Sequence, residues 1–393
     1  MGDPADLAGQ FPARLRGHGP RRAEDTFSPL PAQELNGTKK TERHQEKDGL
    51  TVDQFSRRGF LRTTVALGGL SAAGLLTACS PSSGGGSADG GKVVRTQLSW
   101  LKTVTFAGFY IAEEQGYFKE EGLSAPLLAG GPNIPDAVSV VTAGGADVAL
   151  VDFGALIKAR ESEADLVAIG AVFQESPGGF VSLASNPVRT AKDLVGKRIG
   201  LSPGAEVMVE AILKINKLPV RYERVPVGAG TTALTKGDCD VMACYVTAQP
   251  LALEQQGVRV VSVTQGQLGM PDYALVMAVK RADLAADRAR FVGYLRAVIR
   301  GYRHNLKDPA LGTKLAVEKY GKDLGLDPAA ARRENEVQAA LIRGATGDRG
   351  LGSIDPDRLA GPVYAGLRAR GVSTLPPVSS VLDTSLAKEA LVG

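Results

Sequence analysis

The chain has 393 residues, enough for two domains with full hydrophobic cores. Apolar residues make up 44% of the chain and charged residues 22%, a composition typical of globular proteins. The formal net charge of +4 gives no basic footprint for nucleic acid, so nucleic-acid binding is not expected. The three histidines, His18, His44 and His304, disfavour a histidine-based active site or metal site.

The first fifty residues are rich in Pro, Gly and charged residues and show no sustained apolar period. This composition predicts a disordered extension over residues 1–50. Export signals normally lie close to the start of a chain, and one is predicted immediately after this extension. We therefore predict that translation begins near Val52 rather than at Met1.

Residues 51–79 have the order of an export signal. A twin-arginine sequence at 56–61 (SRRGFL) precedes an uncharged run at 63–78, and residues 76–79 (LTAC) match a bacterial lipobox. The alternative, a membrane-spanning helix, is disfavoured because sixteen residues with three glycines are short for a span of about 20 apolar residues. We predict that Cys79 is lipidated and that residues 80–91, rich in Ser and Gly, form a flexible tether.

The mature chain is expected to be organised around residues 98–122. An apolar-polar run at 93–98 predicts a strand, which leads into a polar loop containing Trp100. A helical pattern begins near Phe106 and can end at Gly116, because glycine tolerates a left-handed conformation. A strand, a loop and a helix N-terminus together place exposed N–H groups at the carboxyl edge of a sheet, where open α/β folds bind small molecules.

Strands and helices then alternate, which predicts βαβ units and a mostly parallel sheet. Further strands of this first lobe are predicted at 125–129, 146–151, 166–173 and 180–185, and the first crossing between lobes just after the last of these, near Leu183. The second lobe repeats the strand, small-residue loop and helix start at 198–206. A strand at 273–280 returns to the first lobe near Ala274. We therefore predict lobe one at 92–183 and 274–393, and lobe two at 184–273.

Three segments carry a resemblance to a known family. They are GFYIAEEQGYFKEEGL at 108–123, KDLVGKRIG at 192–200 and YVTAQP at 245–250. With them the chain resembles the NMT1/THI5-like solute-binding proteins, receptors of ABC importers for thiamine-pyrimidine precursors, riboflavin, nitrate, sulfonates and taurine. The resemblance covers about 93–382. It implies an α/β fold of the type II periplasmic-binding-protein kind, with two α/β lobes, a central cleft and two crossover strands.

One segment departs from the family's pattern. The signature of pyrimidine-precursor receptors is Tyr-x-Thr-Asn-Glu-Pro, and this chain has Ala248 for the Asn and Gln249 for the Glu. A glutamate only accepts hydrogen bonds when ionised, whereas a glutamine both donates and accepts. The departure leaves the substrate open while it leaves the fold unaffected.

The candidate ligand contacts lie at strand-end loops and at the helix starts that follow them. They are Trp100, Thr103, Phe106, Phe153, Gln174, Ser202, Gly204, Tyr245, Thr247 and Gln249. Trp100 is the strongest candidate because a tryptophan at a strand end can stack on a flat ring. Phe109 is expected to pack in the core instead, and Ser202 to cap a helix rather than act as a nucleophile. No catalytic residue, metal or cofactor is predicted.

The resemblance implies a monomeric, extracytoplasmic binding component of an ABC importer, anchored to the outer face of the membrane through Cys79. Its partners would be a permease and an ATPase, and its ligand a small heteroaromatic molecule. A nitrate, sulfonate, taurine or riboflavin receptor remains an alternative; an anionic ligand would need a cation, and Lys102 is the basic residue that the strand-end loops offer. A thiamine-pyrimidine synthase is the alternative of another class, but its chemistry draws on an active-site histidine and iron.

Overall fold

The computed structural model describes residues 91–392 except for residues 163 and 229. The predictions made for the disordered extension, the signal peptide, the lipidated Cys79 and the tether concern residues that lie outside the described part, apart from Gly91. Within the described part, no helix combines the length and the apolar character that crossing a membrane requires.

The described residues form twelve strands. They are β1 Lys92–Val93, β2 Thr96–Gln97, β3 Leu123–Ser124, β4 Leu127–Leu128, β5 Val148–Val151, β6 Leu166–Phe173, β7 Gly178–Leu183, β8 Arg198–Leu201, β9 Glu223–Pro226, β10 Val241–Tyr245, β11 Val260–Thr264 and β12 Ala274–Lys280. Two five-stranded sheets contain ten of these strands, in the orders β4-β2-β5-β12-β6 and β11-β7-β10-β8-β9. Strands β1 and β3 form a separate parallel pair.

The helices surround these sheets. They are α1 Ala107–Glu114, α2 Tyr117–Glu120, α3 Ala137–Thr142, α4 Phe153–Glu161, α5 Glu206–Ile215, α6 Thr232–Thr235, α7 Gln249–Gln255, α8 Arg281–Ala286, α9 Arg288–Lys307, α10 Pro309–Leu315, α11 Pro328–Arg343, α12 Pro356–Arg358, α13 Tyr364–Ala369, α14 Val378–Val381 and α15 Thr384–Val392. Shorter 3₁₀ or π turns cover Val104–Phe106, Ala191–Leu194, Ala316–Tyr320, Lys322–Leu324, Gly344–Gly350 and Leu359–Val363.

The first sheet forms the centre of lobe one. Strands β2, β4 and β5 run parallel, and β12 runs antiparallel to both β5 and β6. Every residue of β5 and β6 is buried, because helices cover both faces of the sheet. Such double coverage explains why these strands are continuous apolar runs rather than alternating ones. Phe109, predicted to be a core residue, is fully buried on one of these faces and packs edge-on against Tyr302.

The second sheet forms the centre of lobe two. Strand β8 runs parallel to β9 and β10, while β7 runs antiparallel to β10 and β11. One face carries a core that includes Ile212 of α5, and the other face carries a smaller core that includes Leu253 of α7.

Strand β7 corrects the predicted boundary between the lobes. The sequence predicts this strand in lobe one and the first crossing near Leu183. In the structure, Val181 of β7 pairs with Met242 of β10 and with Ser262 of β11, so β7 belongs to the second sheet. The first crossing therefore lies at 174–177. An apolar run predicts a strand, but it does not show which sheet that strand joins.

The C-terminal helices do more than cover lobe one. Val363, just before α13, and Leu367, within it, pack in a core of lobe one. Ala369 at the end of α13 packs against the core of lobe two that includes Ile212 of α5. Helix α13 approaches lobe two so closely that a Cβ at Gly366 would lie 3.1 Å from the Met270 Cγ. Helix α13 therefore links the lobes in addition to the two crossings.

Candidate functional site

The two sheets present facing edges at the crossings between the lobes. Strands β5 and β6 of lobe one end beside the start of β12, with Ala274 opposite Phe173. Strands β10 and β11 of lobe two end beside the start of β7, with Tyr245 opposite Gly178. The crossings at 174–177 and 265–273 join these edges and are tied together by a hydrogen bond from the Ser176 N–H to the Asp272 carbonyl (2.9 Å). We call the space between the two edges the interlobe cleft.

Trp100 lies on the lobe-one edge of the cleft, and its side chain is 49% exposed. Its backbone is held because the Trp100 carbonyl accepts a hydrogen bond from the Gly130 N–H (3.0 Å). Only a glycine fits at that position, since a Cβ on residue 130 would lie 2.4 Å from the Leu98 carbonyl oxygen. The loop thus fixes the backbone of Trp100 and leaves its ring free.

Three other predicted ligand contacts on this edge contact other parts of the protein instead. Phe106 and Phe153 are buried in the lobe-one cores, so neither ring meets a ligand in this conformation. Phe106 is the N-cap residue of α1 and Phe153 is the first residue of α4, and apolar residues at the start of a helix that packs on a sheet face inward. Gln174 is also buried, and its Nε2 donates to the Ser353 carbonyl (3.0 Å).

Tyr245 lies on the lobe-two edge, at the end of β10, and is 54% exposed. The Tyr245 N–H donates to the Gln249 Oε1 (3.0 Å), so Gln249 holds the start of this loop. Thr247, between them, is buried.

Ser202 and Gly204 lie in the loop after β8, and both are exposed. Gly204 has a φ of +83°, which glycine adopts without strain, and a Cβ there would meet nothing within 4 Å. The prediction that Ser202 caps a helix is wrong. Helix α5 begins at Glu206 with Ala205 at its cap and no capping side chain, because the turn at 202–205 separates Ser202 from it.

Thr103 belongs to a short chain of polar side chains on lobe one. Its hydroxyl donates to the Thr105 hydroxyl (3.1 Å), which in turn contacts the Glu334 carboxylate of α11 (3.5 Å). Burial raises the pKa of Glu334 to about 7. Glu334 places a carboxyl group beside a predicted contact, and sequence reasoning missed it because α11 lies more than two hundred residues later.

The base of the cleft also holds charged side chains that the sequence does not predict there. Arg370, which follows α13, places its Nη1 3.6 Å from the Asp272 Oδ2, and its Nη2 donates to the Gln265 Oε1 (3.2 Å). Arg358 pairs with Glu175, with 2.9 Å between Nη2 and Oε1. The sequence suggested Lys102 as the one cation near the strand-end loops. The structure adds Arg358 and Arg370 to it. The sequence does not show which site is reached by the side chain of an arginine on or beside a distant helix.

At the base of the cleft, burial has the largest effect on the pKa values of the titratable groups. Burial raises the pKa of Asp272 to about 7; the nearby charge of Asp152 adds to the effect, while Arg370 and Arg358 oppose it. The pKa of Tyr245 is raised first by desolvation of its hydroxyl by the surrounding protein atoms, although the side chain as a whole is half exposed to water, and then by Asp152 and Asp272. Because Asp152 belongs to lobe one and Tyr245 to lobe two, this influence acts across the cleft.

His304 lies elsewhere, on α9. Its Nδ1 is 3.0 Å from the hydroxyl of Tyr117 in α2. Among the described residues, no three His, Cys, Asp or Glu side chains are grouped so that they can hold a metal ion.

Comparison with known proteins gives the family. The sequence profile described as NMT1/THI5 like matches residues 103–311, more than half of the chain. The chain belongs to the NMT1/THI5-like family.

Two relatives show that this NMT1/THI5-like chain is similar both to a binding protein and to an enzyme. The formylaminopyrimidine-binding protein of Halalkalibacterium halodurans is 27% identical over 227 residues, 56% of this chain and 68% of that protein. The 4-amino-5-hydroxymethyl-2-methylpyrimidine phosphate synthase of Aspergillus parasiticus is 26% identical over 238 residues, again 56% of this chain and 68% of that protein.

A solved structure supports the fold of this NMT1/THI5-like chain. The putative periplasmic sulfonate-binding protein SsuA of Methylobacillus flagellatus KT superposes with a TM-score of 0.57 at 16% identity, covering 77% of this chain and 94% of that one. Together with the two sheets described above, this confirms the predicted fold, a periplasmic-binding-protein fold with two α/β lobes.

Proposed function

We propose that the chain is the extracytoplasmic solute-binding component of an ABC importer, and that its interlobe cleft binds a small heteroaromatic molecule of the thiamine-pyrimidine-precursor kind. The relative that binds formylaminopyrimidine and the structural neighbour described as part of a sulfonate ABC transporter support this class. The two lobes would close over the ligand as a monomer and then dock on a permease and its ATPase.

The observation that carries the proposal is the exposure of Trp100 and Tyr245. Among the described residues, these two aromatic side chains are the most exposed, and each lies at a strand end, Trp100 after β2 of lobe one and Tyr245 at the end of β10 of lobe two. A flat ring inserted between the lobes buries both side chains and gains stacking with each of them. Such an aromatic contact contributes about 0.5–1.5 kcal/mol beyond the burial of area.

The charges at the base of the cleft disfavour an anionic ligand such as nitrate, a sulfonate or taurine. Both arginines at the base of the cleft already pair with carboxylates, Arg358 with Glu175 and Arg370 with Asp272. A sulfonate placed there has to compete with these carboxylates for the arginines. An uncharged heteroaromatic ring meets no such penalty.

We propose binding rather than synthase activity, although a relative is a synthase. The one histidine in the described residues, His304, is engaged by Tyr117 on helices outside the two cleft edges. Incubation of the purified protein with ferrous iron, followed by mass spectrometry, is expected to yield no pyrimidine product. Formation of such a product would contradict a pure binding role.

We also propose that the chain is exported through its twin-arginine signal and anchored by lipid on Cys79. In cells, Cys79→Ser is expected to move the protein from the membrane fraction to the soluble exported fraction. Replacing Arg57 and Arg58 by lysine is expected to prevent export. An unchanged membrane fraction with Cys79→Ser would contradict the anchor. Peptide mapping tests the start near Val52, which a tryptic peptide from upstream would exclude.

A thermal-shift screen tests the ligand class. The purified protein is heated with aminopyrimidines, flavins, taurine, alkylsulfonates and nitrate in turn. A ligand that binds only the folded state stabilises it by about 2.7 kcal/mol at a hundredfold excess over Kd. We expect a shift with aminopyrimidines. A shift with sulfonates alone would overturn the proposed ligand while keeping the importer role.

A further inference from the structure

Asp272 is a buried carboxylate without a full set of partners. Its side chain is 5% exposed, at the crossing that leads into β12. Its Oδ1 accepts from the N–H of the next residue, Tyr273 (2.8 Å). Its Oδ2 lies 3.6 Å from the Arg370 Nη1, which exceeds the length of a hydrogen bond. Burying a carboxylate is costly unless its oxygens are hydrogen-bonded, so this oxygen is suited to a donor from a ligand.

Arg370 is likewise incompletely partnered. One terminal nitrogen, Nη2, donates to the Gln265 Oε1 (3.2 Å), and the buried Nε has no hydrogen-bond partner among the described residues. The other terminal nitrogen, Nη1, points between Asp272 and Gly154, where a Cβ on Gly154 would lie 3.9 Å from it. An acceptor oxygen and a donor nitrogen are therefore available side by side, 3.6 Å apart.

This pair lies in the interlobe cleft. Gln265 follows the end of β11 on the lobe-two edge, and Asp272 precedes β12 on the lobe-one edge. The Gln265 Oε1 that accepts from Arg370 would lie 3.4 Å from a Cβ on Gly178, and Gly178 is the residue paired with the half-exposed Tyr245. A molecule that stacks on Tyr245 thus has the Asp272–Arg370 pair within the same enclosure.

We propose that Asp272 and Arg370 determine ligand specificity by binding a donor–acceptor edge of an amino-substituted heteroaromatic ring. The Asp272 Oδ2 accepts from the exocyclic amino group, and the Arg370 Nη1 donates to the adjacent ring nitrogen. The inference rests on the proposed binding function and assigns the groups that select the ligand. Gln249 is engaged by the Tyr245 N–H through its oxygen, so the acceptor for the amino group is supplied from the opposite edge.

The pair explains selection as well as binding. An analogue that lacks the amino group leaves the buried Asp272 oxygen without a donor, and unpaired buried polar groups discriminate far more strongly than apolar contacts do. An analogue of the same shape with a methyl group in place of the amino group is therefore rejected although it still stacks on Tyr245. We expect at least a tenfold difference in Kd between the two compounds.

The protonation of Asp272 supplies a second signature. Four titratable or charged groups lie near Asp272. Arg370 and Arg358 favour its ionised form, and Asp152 disfavours it. The fourth group is the hydroxyl of Tyr245. With its pKa raised to about 7 by burial, Asp272 becomes protonated as the pH falls from 8 to 6 and loses its capacity to accept through that oxygen. The affinity for the amino compound should fall by about tenfold over this range.

Calorimetry with two matched compounds tests the inference. The probes are 4-amino-5-hydroxymethyl-2-methylpyrimidine and the analogue with a methyl group at position 4, titrated into the wild-type protein and into Asp272→Asn. We expect the wild type to prefer the amino compound at least tenfold, and Asp272→Asn to lose that preference and its extra pH dependence. Asp165→Asn, which alters a carboxylate paired with Arg281 at the opposite end of β12, serves as the control and should keep both.

The outcomes separate the inference from the function on which it rests. Equal affinity of the wild type for both compounds would overturn the inference and leave the binding function standing, and so would an Asp272→Asn variant with an unchanged preference. Failure of both compounds to bind the wild type would overturn the proposed ligand class and the inference with it. If Asp272→Asn does not fold, the inference is tested by the comparison of the two compounds in the wild type and by Arg370→Lys. That variant should lower the affinity for the amino compound more than the affinity for its analogue.

Discussion

The side-chain oxygen of Gln249 accepts a hydrogen bond from the backbone N–H of Tyr245, with 3.0 Å between the two atoms. Gln249 is the first residue of α7, and Tyr245 is the last residue of β10. The bond therefore fixes the turn between strand and helix and the direction in which the tyrosine ring leaves the sheet. In the proposed binding site, Gln249 therefore has a positioning role, because it holds Tyr245.

Removing the acceptor on Gln249 should weaken ligand binding. Gln249→Leu keeps the size of the side chain but leaves the Tyr245 N–H without its partner, which costs about 0.5–1.5 kcal/mol. We expect Kd for the aminopyrimidine to rise by roughly two- to tenfold in calorimetry. Gln249→Glu keeps an acceptor oxygen and should bind nearly as well as the wild type. Equal affinities for all three proteins would contradict a positioning role.

Trp100 should contribute to binding and little to folding. Its ring is half exposed, so Trp100→Ala removes few contacts in the free protein and should leave the thermal midpoint unchanged. Loss of stacking and of buried area should weaken aminopyrimidine binding by at least tenfold, while Trp100→Phe should retain part of the affinity. A large drop in the midpoint of Trp100→Ala without ligand would show instead that the ring packs structurally.

Close packing of α1 on α9 predicts a strong effect at Gly301. A Cβ there would lie 2.0 Å from the Gly108 carbonyl oxygen of α1, so the two helices must separate to admit it. Overpacking of this kind costs about 1–3 kcal/mol, and Gly301→Ala should lower the midpoint of urea unfolding accordingly. The matched control is Gly361→Ala, where a Cβ meets nothing within 4 Å. Equal midpoints for the two variants would contradict the contact.

Glu334 should make stability depend on pH. Burial raises its pKa from 4.5 to about 7, so the folded chain binds this proton more tightly than the unfolded chain. The resulting stabilisation is fully present below about pH 4.5 and is lost as the pH rises through 7. Glu334→Gln does not titrate, so its unfolding free energy relative to the wild type should rise between pH 5 and pH 8, by an amount on the order of 1–3 kcal/mol.

The control for this titration is Glu336→Gln, an exposed carboxylate on the same helix that pairs with Arg332. Its difference from the wild type should stay nearly constant over the same range. Parallel profiles for wild type and Glu334→Gln would show that Glu334 keeps an ordinary pKa in the folded protein.

The local pattern of apolar and polar residues predicted the helices and strands well. It predicted the positions of side chains much less well. The strand at 166–173 was predicted with its observed bounds, because a continuous apolar run between polar loops is a local signal. Trp100 and Tyr245 were placed at strand ends for the same reason. The sheet that β7 joins was not predicted, since pairing depends on residues far away in sequence.

The polar groups of the cleft show the same limit. Asp272 precedes a predicted strand, but nothing in its neighbours along the chain shows that Arg370 reaches it from a helix about a hundred residues later. Phe106 and Phe153 illustrate the converse error. Their positions at helix starts suggested ligand contacts, whereas packing of the helices on the sheet turned both rings into the core.

Fluorescence of Trp100 tests the central claim most directly, because it is the one tryptophan in the chain. Titration of the purified protein with 4-amino-5-hydroxymethyl-2-methylpyrimidine should change the emission saturably, with a Kd of order micromolar, corresponding to about 8 kcal/mol. Taurine at the same concentrations should leave the emission unchanged. A response to taurine alone, or binding detected by calorimetry with no change in Trp100 emission, would contradict an aromatic ligand held against Trp100 in the interlobe cleft.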